Sequence, residues 1–265
     1  MAPTVAEGYV GNLTPEHEAK LRELWSVVFK LYDMYESKDP ELQAAIKNSA
    51  EQVQSPSKSR FGFWKGSAAP SQSQNVIEKY LNLGSSDENS KYELRKKFMD
   101  MLAIHTTDSI RFMVVEAVKG DHPDALVLRF LRARKWEVDA ALVMMFSAMD
   151  WRYNEMKVDS DIMKNGDAKA LADEKSKDPQ VSTGGQEVMK QLRIGKGFLH
   201  GLDKEHRPIS YVRVRLHKPF AEKQENLERF IVYLIETGRF ALDPPVETAV
   251  SNSHGTKFGT SLTIT

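Results

Sequence analysis

The apolar residues of this chain change their spacing along its length, and that change limits what the chain can fold into. In several stretches before residue 156 they recur every three or four positions, which is the period of an amphipathic helix. Between residues 209 and 216 they alternate, with Val212, Val214 and Leu216 on one side, which predicts a half-buried strand. The helical spacing predicts helices over 16–35, 91–119, 125–135, 139–156 and 222–242. We therefore expect a mostly helical chain with strands only after residue 190.

Composition and charge exclude several classes of protein. Lysine plus arginine (37) balance aspartate plus glutamate (37), so no overall charge favours a nucleic acid or an acidic partner. The absence of cysteine excludes disulfides, thiolate metal sites and a cysteine nucleophile. The most apolar run, Ala140–Met149, is shorter than the roughly 18 residues of a membrane-spanning helix. Since residues 1–15 show no signal-peptide pattern, we expect a soluble, cytoplasmic protein whose membrane contacts are peripheral.

Two polar stretches separate the predicted helices. Residues 36–90 contain a Ser-, Gln-, Pro- and Gly-rich string that is typical of a flexible linker. Phe61, Phe63 and Trp64 interrupt this string, either as a small patch that packs back onto a domain or as a docking motif. Residues 158–189 are also polar and contain glycines, so we expect a connector there.

The most informative local feature is a cationic cluster, formed by Arg129, Arg132, Arg134 and Lys135. On a continuous helix, Arg134 would extend the apolar stripe rather than the solvated face. A guanidinium in that place needs an anionic partner or an exit to water, because burying an unpaired charge is unfavourable. A favourable interaction with the helix dipole is the simpler explanation, and spacing alone leaves both open.

Three weaker patterns lack the context that their chemistry requires. The glycines of Gly195–Gly201 have the wrong spacing for a dinucleotide site, with no strand before them and no helix after them. The aspartates within residues 159–167 resemble a calcium loop whose other positions do not fit. His200, His206 and His217 lack acidic residues at zinc-ligand spacing. The sequence therefore predicts no catalytic residue, no metal ligand and no cofactor.

Two segments together resemble the CRAL-TRIO family of lipid-binding proteins. The first is Leu128-Arg-Phe-Leu-Arg-Ala-Arg-Lys-Trp136, followed by Trp151-Arg152. The second runs from Phe198-Leu-His-Gly201 through Asp203-Lys-Glu-His-Arg-Pro208 to Pro244-Pro-Val-Glu-Thr248. The similarity covers residues 92–249 and is greatest to fungal phosphatidylinositol transfer proteins of the yeast secretory type, in the subgroup with a long N-terminal extension.

The resemblance implies an α/β fold overall, of which this chain supplies mostly helices and the first strands and helix of an incomplete CRAL-TRIO lobe. The implied domain order is an N-terminal extension with one helix (1–35), a flexible linker (36–90), the N-terminal helical module (91–157), a connector (158–189), the start of the lipid-binding lobe (190–249) and an unrelated tail (250–265).

The resemblance also implies a function, which is phosphatidylinositol binding and transfer between membranes without enzymatic activity. In this family the last Arg and the Lys of the helical motif contact the lipid phosphate, and these residues are Arg134 and Lys135 here. A guanidinium and an ammonium group together suit a phosphate chemically. The implied partners are phosphatidylinositol or another phospholipid and, transiently, a membrane surface. No nucleic acid is expected, and the protein is expected to be a monomer.

Two residues depart from the family pattern within the matching segments. His206 occupies a turn position where glycine is usual, which strains the turn if the backbone there has a positive φ. Glu137 replaces the usual Asp or Asn before a helix, so we expect it to cap that helix less well.

A larger departure begins after Thr248-Ala249, where the family continues into a central strand and most of the lobe. We therefore expect a truncated lobe with impaired lipid transfer, in which Phe230, Leu234 and Val212 lack covering partners. The alternative function is a helical interaction or regulatory fragment without a lipid pocket. A nucleotide-dependent oxidoreductase is the weakest alternative, since it rests only on the glycines of Gly195–Gly201.

Overall fold

A computed structural model describes residues 5–54, 72–84, 89–254 and 261–264. The chain divides into two compact units, which we call the N-terminal unit (Ala6–Trp151) and the C-terminal unit (from Arg152 onward). Among the described residues, no helix has the length and apolar character that crossing a membrane requires.

The N-terminal unit is entirely helical where it is described, apart from short turns. Its helices are α1 (Pro15–Glu36), α2 (Pro40–Gln54), α3 (Gln72–Leu81), α4 (Asn89–Ile104), α5 (Thr107–Val118), α6 (Pro123–Ala133) and α7 (Val138–Asp150). The start of α1 follows the sequence signals, because Pro15 is its first residue and the Thr14 side chain accepts a hydrogen bond from the His17 N–H. Before α7, Glu137 makes no side-chain cap, which confirms the weaker cap expected there.

Helix α1 is an integral part of the core rather than an appendage. It packs on α5, α6 and α7, and Leu24, Val28 and Leu31 are fully buried. Trp25 Nε1 donates a hydrogen bond to Asp124 Oδ1 at the start of α6 (2.7 Å). Tyr35 donates its hydroxyl proton to the Leu102 carbonyl (2.7 Å). The segment predicted as an extension is therefore joined to the rest of the unit by both apolar and polar contacts.

The expectation of a flexible linker over 36–90 is wrong for the two helices within it. Helices α2 and α3 pack against each other, and α2 also packs on α4. Leu42, Ile77 and Leu81 are at most 1% exposed. Average composition hid these apolar positions, which lie at helical spacing on either side of the Ser- and Gln-rich string. Phe61, Phe63 and Trp64 lie outside the described residues.

The C-terminal unit combines helices with a small sheet. Its elements are α8 (Lys164–Glu174), α9 (Pro179–Arg193), β1 (Gly197–Leu202), β2 (Pro208–Arg213), α10 (Gln224–Phe240), β3 (Ala249–His254) and β4 (Ser261–Ile264). Two π-helical turns, Trp151–Glu155 and Val158–Met163, precede α8 in the chain. The connector predicted over 158–189 thus contains two helices. The predicted strand ends at Arg213, and Val214–Leu216 forms a 3₁₀ turn.

The four strands of the described residues form one mixed sheet in the order β1-β2-β3-β4. Strands β1 and β2 are antiparallel, β2 and β3 are parallel, and β3 and β4 are antiparallel. Residues 250–265 were expected to be an unrelated tail, but Val250 pairs with Ile209 of β2 and continues the sheet. The segment lacks hydrophobic alternation, so its strand character depends on backbone hydrogen bonds to a neighbour.

Helix α10 packs on β1 and covers one face of the sheet. A Cβ atom on Gly238 would lie 3.5 Å from Leu199, and one on Gly197 would lie 3.5 Å from the Phe230 ring. Phe230 is only 3% exposed, so the expectation that it lacks a covering partner is wrong. Val212 and Leu234 are half-buried.

Helices α8 and α9 approach each other so closely at Gly185 that no side chain fits. A Cβ atom there would lie 2.8 Å from the Ala170 carbonyl oxygen and 2.7 Å from the Asp173 carbonyl carbon. We expect Gly185→Ala to lower the free energy of unfolding by about 1–3 kcal/mol, because the helices must separate. Gly184→Ala is the matched control, since its Cβ would lie 3.5 Å from Asn226 in ordinary contact. Urea denaturation measures both, and equal effects would contradict this account.

An ion pair joins α10 to the π-helical turn before α8. Arg229 Nη1 lies 2.5 Å from Asp161 Oδ2, and the Asn165 amide donates to the other carboxylate oxygen (2.8 Å). The hydrogen bond from Arg229 lowers the pKa of Asp161 below its ordinary value. The pair therefore contributes fully above the unfolded pKa of about 4, and its contribution is lost as pH falls through the lower folded pKa.

We expect Asp161→Asn to lower stability at neutral pH by less than about 1 kcal/mol, because the pair is partly exposed. The difference from the parent chain should shrink on acidification, as measured by urea denaturation at a series of pH values. Asp243→Asn, at an exposed position, should leave the pH profile unchanged. A constant difference at all pH values would exclude the pair as its source.

Candidate functional site

The C-terminal end of α6 carries the residues that sequence comparison with a family pattern singled out. Helix α6 ends at Ala133, and Arg134 is its C-cap residue. The Lys135 N–H donates to the Arg132 carbonyl (3.2 Å), and the Trp136 N–H donates to the Leu131 carbonyl (2.8 Å). This pair of bonds is the Schellman motif, which satisfies carbonyl groups that a helix end otherwise leaves unpaired.

The backbone of this turn is unusual for the residues that form it. Lys135 (φ 51°) and Trp136 (φ 65°) both lie in the left-handed region, where glycine is the preferred residue. A non-glycine residue in that region costs about 1–2 kcal/mol. Backbone strain of this kind is concentrated at functional sites, where the geometry of a side chain has its own use. The turn is therefore a candidate site on grounds independent of its charge.

The four cations of the cluster have different surroundings. Arg129 forms an ion pair with Asp121 (3.2 Å). Arg132 lies over the Tyr9 ring, 3.7 Å from its centroid. Arg134 is half-buried and its Nη1 lies 3.5 Å from the Ala133 carbonyl oxygen, while Lys135 is exposed. Within the described ranges, Arg134 and Lys135 have no carboxylate partner. These two cations are the ones available to an anion.

Helix α6 ends one residue before Arg134, although the Arg134 N–H still donates to the Phe130 carbonyl (3.0 Å), as in a continuous helix. Arg134 and Lys135 follow the last turn of α6, where the helix dipole favours cations. Both explanations considered for the cluster are thus compatible with the structure, and the unpaired charges distinguish Arg134 and Lys135 from Arg129.

The C-terminal unit presents an apolar sheet face opposite to α10. Because side chains alternate along a strand, Phe198 lies on the face away from Leu199, which contacts α10. The Phe198 and Tyr211 rings stack with centroids 5.2 Å apart, and the Arg213 guanidinium lies 5.1 Å from the Phe198 centroid. Ile209 and Val250 share this face by the register of the sheet. We call this half-buried surface, formed by Phe198, Ile209, Tyr211 and Val250, the aromatic sheet face.

A buried ion-pair network accounts for one of the aspartates that resembled a calcium loop. Arg152 donates to both carboxylate oxygens of Glu236 (2.6 and 2.9 Å) and also to Asp159 (3.3 Å). Burial lowers the pKa of the Arg152 guanidinium, but the hydrogen bonds and charges of Glu236 and Asp159 outweigh it and raise that pKa. Asp161 pairs with Arg229, so both aspartates neutralise arginines.

The other weak motifs have structural explanations where they are described. Gly197 lies in β1 rather than before a helix, which removes the dinucleotide context. His206 has a φ of 61° in the turn between β1 and β2, which confirms the strained turn expected for a residue replacing glycine. In the part of the chain that the structure describes, no group of three or more His, Cys, Asp or Glu could hold a metal ion.

The structure also brings together three residues that the sequence interpretation missed. His105 lies between Ser109 Oγ (3.0 Å from Nδ1) and Asp150 Oδ1 (2.9 Å from Nε2), in the order of a catalytic triad. The Ser109 hydroxyl, however, accepts the Thr106 N–H as part of the capping box of α5. This chain of hydrogen bonds therefore joins the connection between α4 and α5 to α5 and to the end of α7. His105 and Ser109 are four residues apart, but Asp150 is 45 residues from His105, so spacing alone does not reveal the set.

Each of the two units contains a segment that matches a known protein family. Residues 41–146 match the family described as CRAL/TRIO, N-terminal domain, and residues 192–252 match the CRAL/TRIO domain. The first match contains Arg134 and Lys135, and the second contains β1, β2 and α10. The second match also extends into β3, which agrees with the pairing of that strand.

The curated relatives come from fungi and a plant. A CRAL-TRIO domain-containing protein of Schizosaccharomyces pombe is 35% identical over 90% of this chain and 51% of its own length. The phosphatidylinositol transfer protein CSR1 of Eremothecium gossypii is 29% identical over 94% of this chain and 58% of its own. Patellin-3 of Arabidopsis thaliana is 26% identical over 50% of this chain and 23% of its own.

The chain thus spans about half the length of the two fungal relatives. The helical unit with its cationic turn and the mixed sheet each carry a match of their own. On these matches and on the fungal relatives, the chain belongs to the CRAL-TRIO family.

Proposed function

We propose that this chain binds a phospholipid, with Arg134 and Lys135 contacting the phosphate of the headgroup. The observation that carries the proposal is the strained turn of α6, which holds two cations without a carboxylate partner among the described residues. Membership of the CRAL-TRIO family supports it, as does a relative that is named a phosphatidylinositol transfer protein. Phosphatidylinositol is the lipid that we propose.

The chemistry of the turn suits a phosphate diester. A guanidinium offers parallel N–H donors to two phosphate oxygens, and an ammonium adds a compact positive charge. Lys135 is exposed and Arg134 is half-buried, so an anion reaches both from solvent. Since neither cation forms an ion pair with a described residue, binding does not replace an interaction of comparable strength there.

The C-terminal unit, taken by itself, offers apolar surface in the aromatic sheet face. Aromatic and branched aliphatic side chains on one face of a sheet provide contact area for acyl chains. We propose that the chain binds phosphatidylinositol without catalysing a reaction and transfers it between membranes as a monomer. In this proposal the protein is cytoplasmic and touches membranes only peripherally.

A second candidate function is a helical interaction or regulatory module that binds no lipid. The observation that favours it is a set of exposed apolar side chains on the N-terminal unit. Phe29 of α1 and Phe112 and Val115 of α5 are 57%, 49% and 66% exposed. Exposed apolar side chains on adjacent helices are typical of docking surfaces. Extraction of lipid by the chain separates the two functions, because the second predicts none.

Replacing both cations tests the first function. We expect Arg134→Ala with Lys135→Ala to reduce the lipid-bound fraction about tenfold or more, since charge-assisted hydrogen bonds to the phosphate are lost. Native mass spectrometry after incubation with phosphatidylinositol-containing vesicles measures that fraction. The matched control is Lys20→Ala with Arg22→Ala, which removes the same charge from exposed pairs on α1. Equal losses in both variants would exclude a specific phosphate site.

Lys135→Gly separates the role of the side chain from that of the backbone. Glycine relieves the left-handed strain, so we expect unfolding to require up to about 1 kcal/mol more free energy while lipid binding falls. Thermal denaturation and the same mass-spectrometric measurement check the two effects. Lys157→Gly is the control, since Lys157 is also left-handed (φ 50°, ψ 45°) but lies in the other unit. Retained binding by Lys135→Gly would remove Lys135 from the site.

A further inference from the structure

A short segment before α1 packs against the end of α6. It is a tight turn over Gly8–Asn12, in which the Gly8 N–H donates to the Asn12 carbonyl (2.8 Å) and the Asn12 N–H donates to the Tyr9 carbonyl (2.9 Å). This turn meets Arg132 in two ways. The guanidinium lies 3.7 Å from the Tyr9 ring centroid, and Arg132 Nη1 donates to the Gly8 carbonyl (2.8 Å).

A second contact involves Trp136, at the end of the cationic turn. The His17 and Trp136 rings stack with centroids 3.7 Å apart and an angle of 9° between their planes. His17 Nδ1 is buried and makes no hydrogen bond in the described structure. The contact of the His17 ring with Trp136 is therefore stacking of the two ring faces. The two stacks hold Arg132 and Trp136, the residues that flank Arg134 and Lys135 in sequence.

Gly8 packs closely against Trp136 and Arg132. Gly8 has a φ of 85°, and a Cβ atom there would lie 3.1 Å from a ring carbon of Trp136 and 3.5 Å from the Arg132 side chain. One small residue therefore allows the segment to reach both flanking side chains. Gly8, Tyr9 and His17 lie before residue 41, where the match to the N-terminal CRAL/TRIO domain begins. The contacts of Gly8, Tyr9 and His17 are therefore made by residues outside the part of the chain that matches this domain.

We propose that Tyr9 and His17 are positioning residues that hold the cationic turn in its left-handed conformation and so present Arg134 and Lys135 to the lipid phosphate. The proposal rests on the proposed function for its ligand. Left-handed backbone at two successive non-glycine residues is unfavourable by itself and persists only where surrounding contacts hold it. Stacking on Trp136 and on Arg132 supplies those contacts. A preformed turn also lowers the entropy that is lost when the phosphate binds.

The test uses the full chain and two readouts. The first is the lipid-bound fraction with phosphatidylinositol-containing vesicles, measured by native mass spectrometry. The second is the rate of trypsin cleavage after Arg134 and Lys135, which reports on the turn without any lipid. For Tyr9→Ala with His17→Ala we expect about tenfold weaker lipid binding. We also expect about tenfold faster cleavage at these two bonds, because a more mobile backbone enters the protease active site more readily.

Two further variants separate positioning from a general loss of stability. Tyr9→Phe with His17→Phe keeps both stacking rings, so binding and cleavage should stay within about twofold of the parent chain. Trp25→Phe removes the hydrogen bond to Asp124 at the opposite end of α6. It should lower the melting temperature without accelerating cleavage at Arg134 and Lys135 or weakening lipid binding.

Unchanged cleavage and binding in the alanine pair would overturn the proposal, as would an equal loss in the phenylalanine pair. Accelerated cleavage in Trp25→Phe equal to that of the alanine pair would overturn it too. If the parent chain binds no lipid while the alanine and phenylalanine pairs still differ in cleavage, the proposed function fails and the role of Tyr9 and His17 in holding the turn stands.

Discussion

The left-handed end of α6 is the constraint on which the candidate site depends. The Schellman bonds end the helix at Ala133, and the Glu137 N–H then donates to the Arg134 carbonyl (3.0 Å) immediately before α7 begins. One turn therefore sets where α6 stops, where α7 starts and where Arg134 and Lys135 lie. A glycine would satisfy the backbone better. A lysine in this position departs from the local backbone preference, and departures of this kind are expected at functional sites.

The two units are stabilised by different means. The N-terminal unit has one continuous apolar core that includes α1 to α7 and the ring pair of Phe98 and Phe146. The buried apolar residues described in the C-terminal unit are fewer, and one small cluster among them is formed by Val158, Ile162 and Val232. Much of its described interior is joined by the Arg152 network and by the Arg229 pair with Asp161. Such contacts specify geometry but add less stability than apolar burial does.

Sequence reasoning was least successful where an element depends on its neighbours. Helices α2 and α3 lie in a segment whose average composition is polar, and this average concealed their apolar residues. Leu42 of α2 and Ile77 of α3 are both buried. Strand β3 has no hydrophobic alternation and forms because β2 offers it backbone hydrogen bonds. The hydrogen-bonded chain through His105 depends on Asp150 of α7, 45 residues away. In each case the deciding contact lies far away in sequence.

The sequence by itself determined the helical character of residues 91–156, the weak cap at Glu137, the strained turn at His206 and the cationic motif that indicates the CRAL-TRIO family. These features depend on local spacing and local backbone preference. The family motif already singled out Arg134 and Lys135, but only the tertiary structure showed that Arg129 pairs with Asp121 and that Arg132 lies over the Tyr9 ring. The sequence shows which residues are charged. Whether a charge is neutralised depends on the groups, distant in sequence, that folding places beside it.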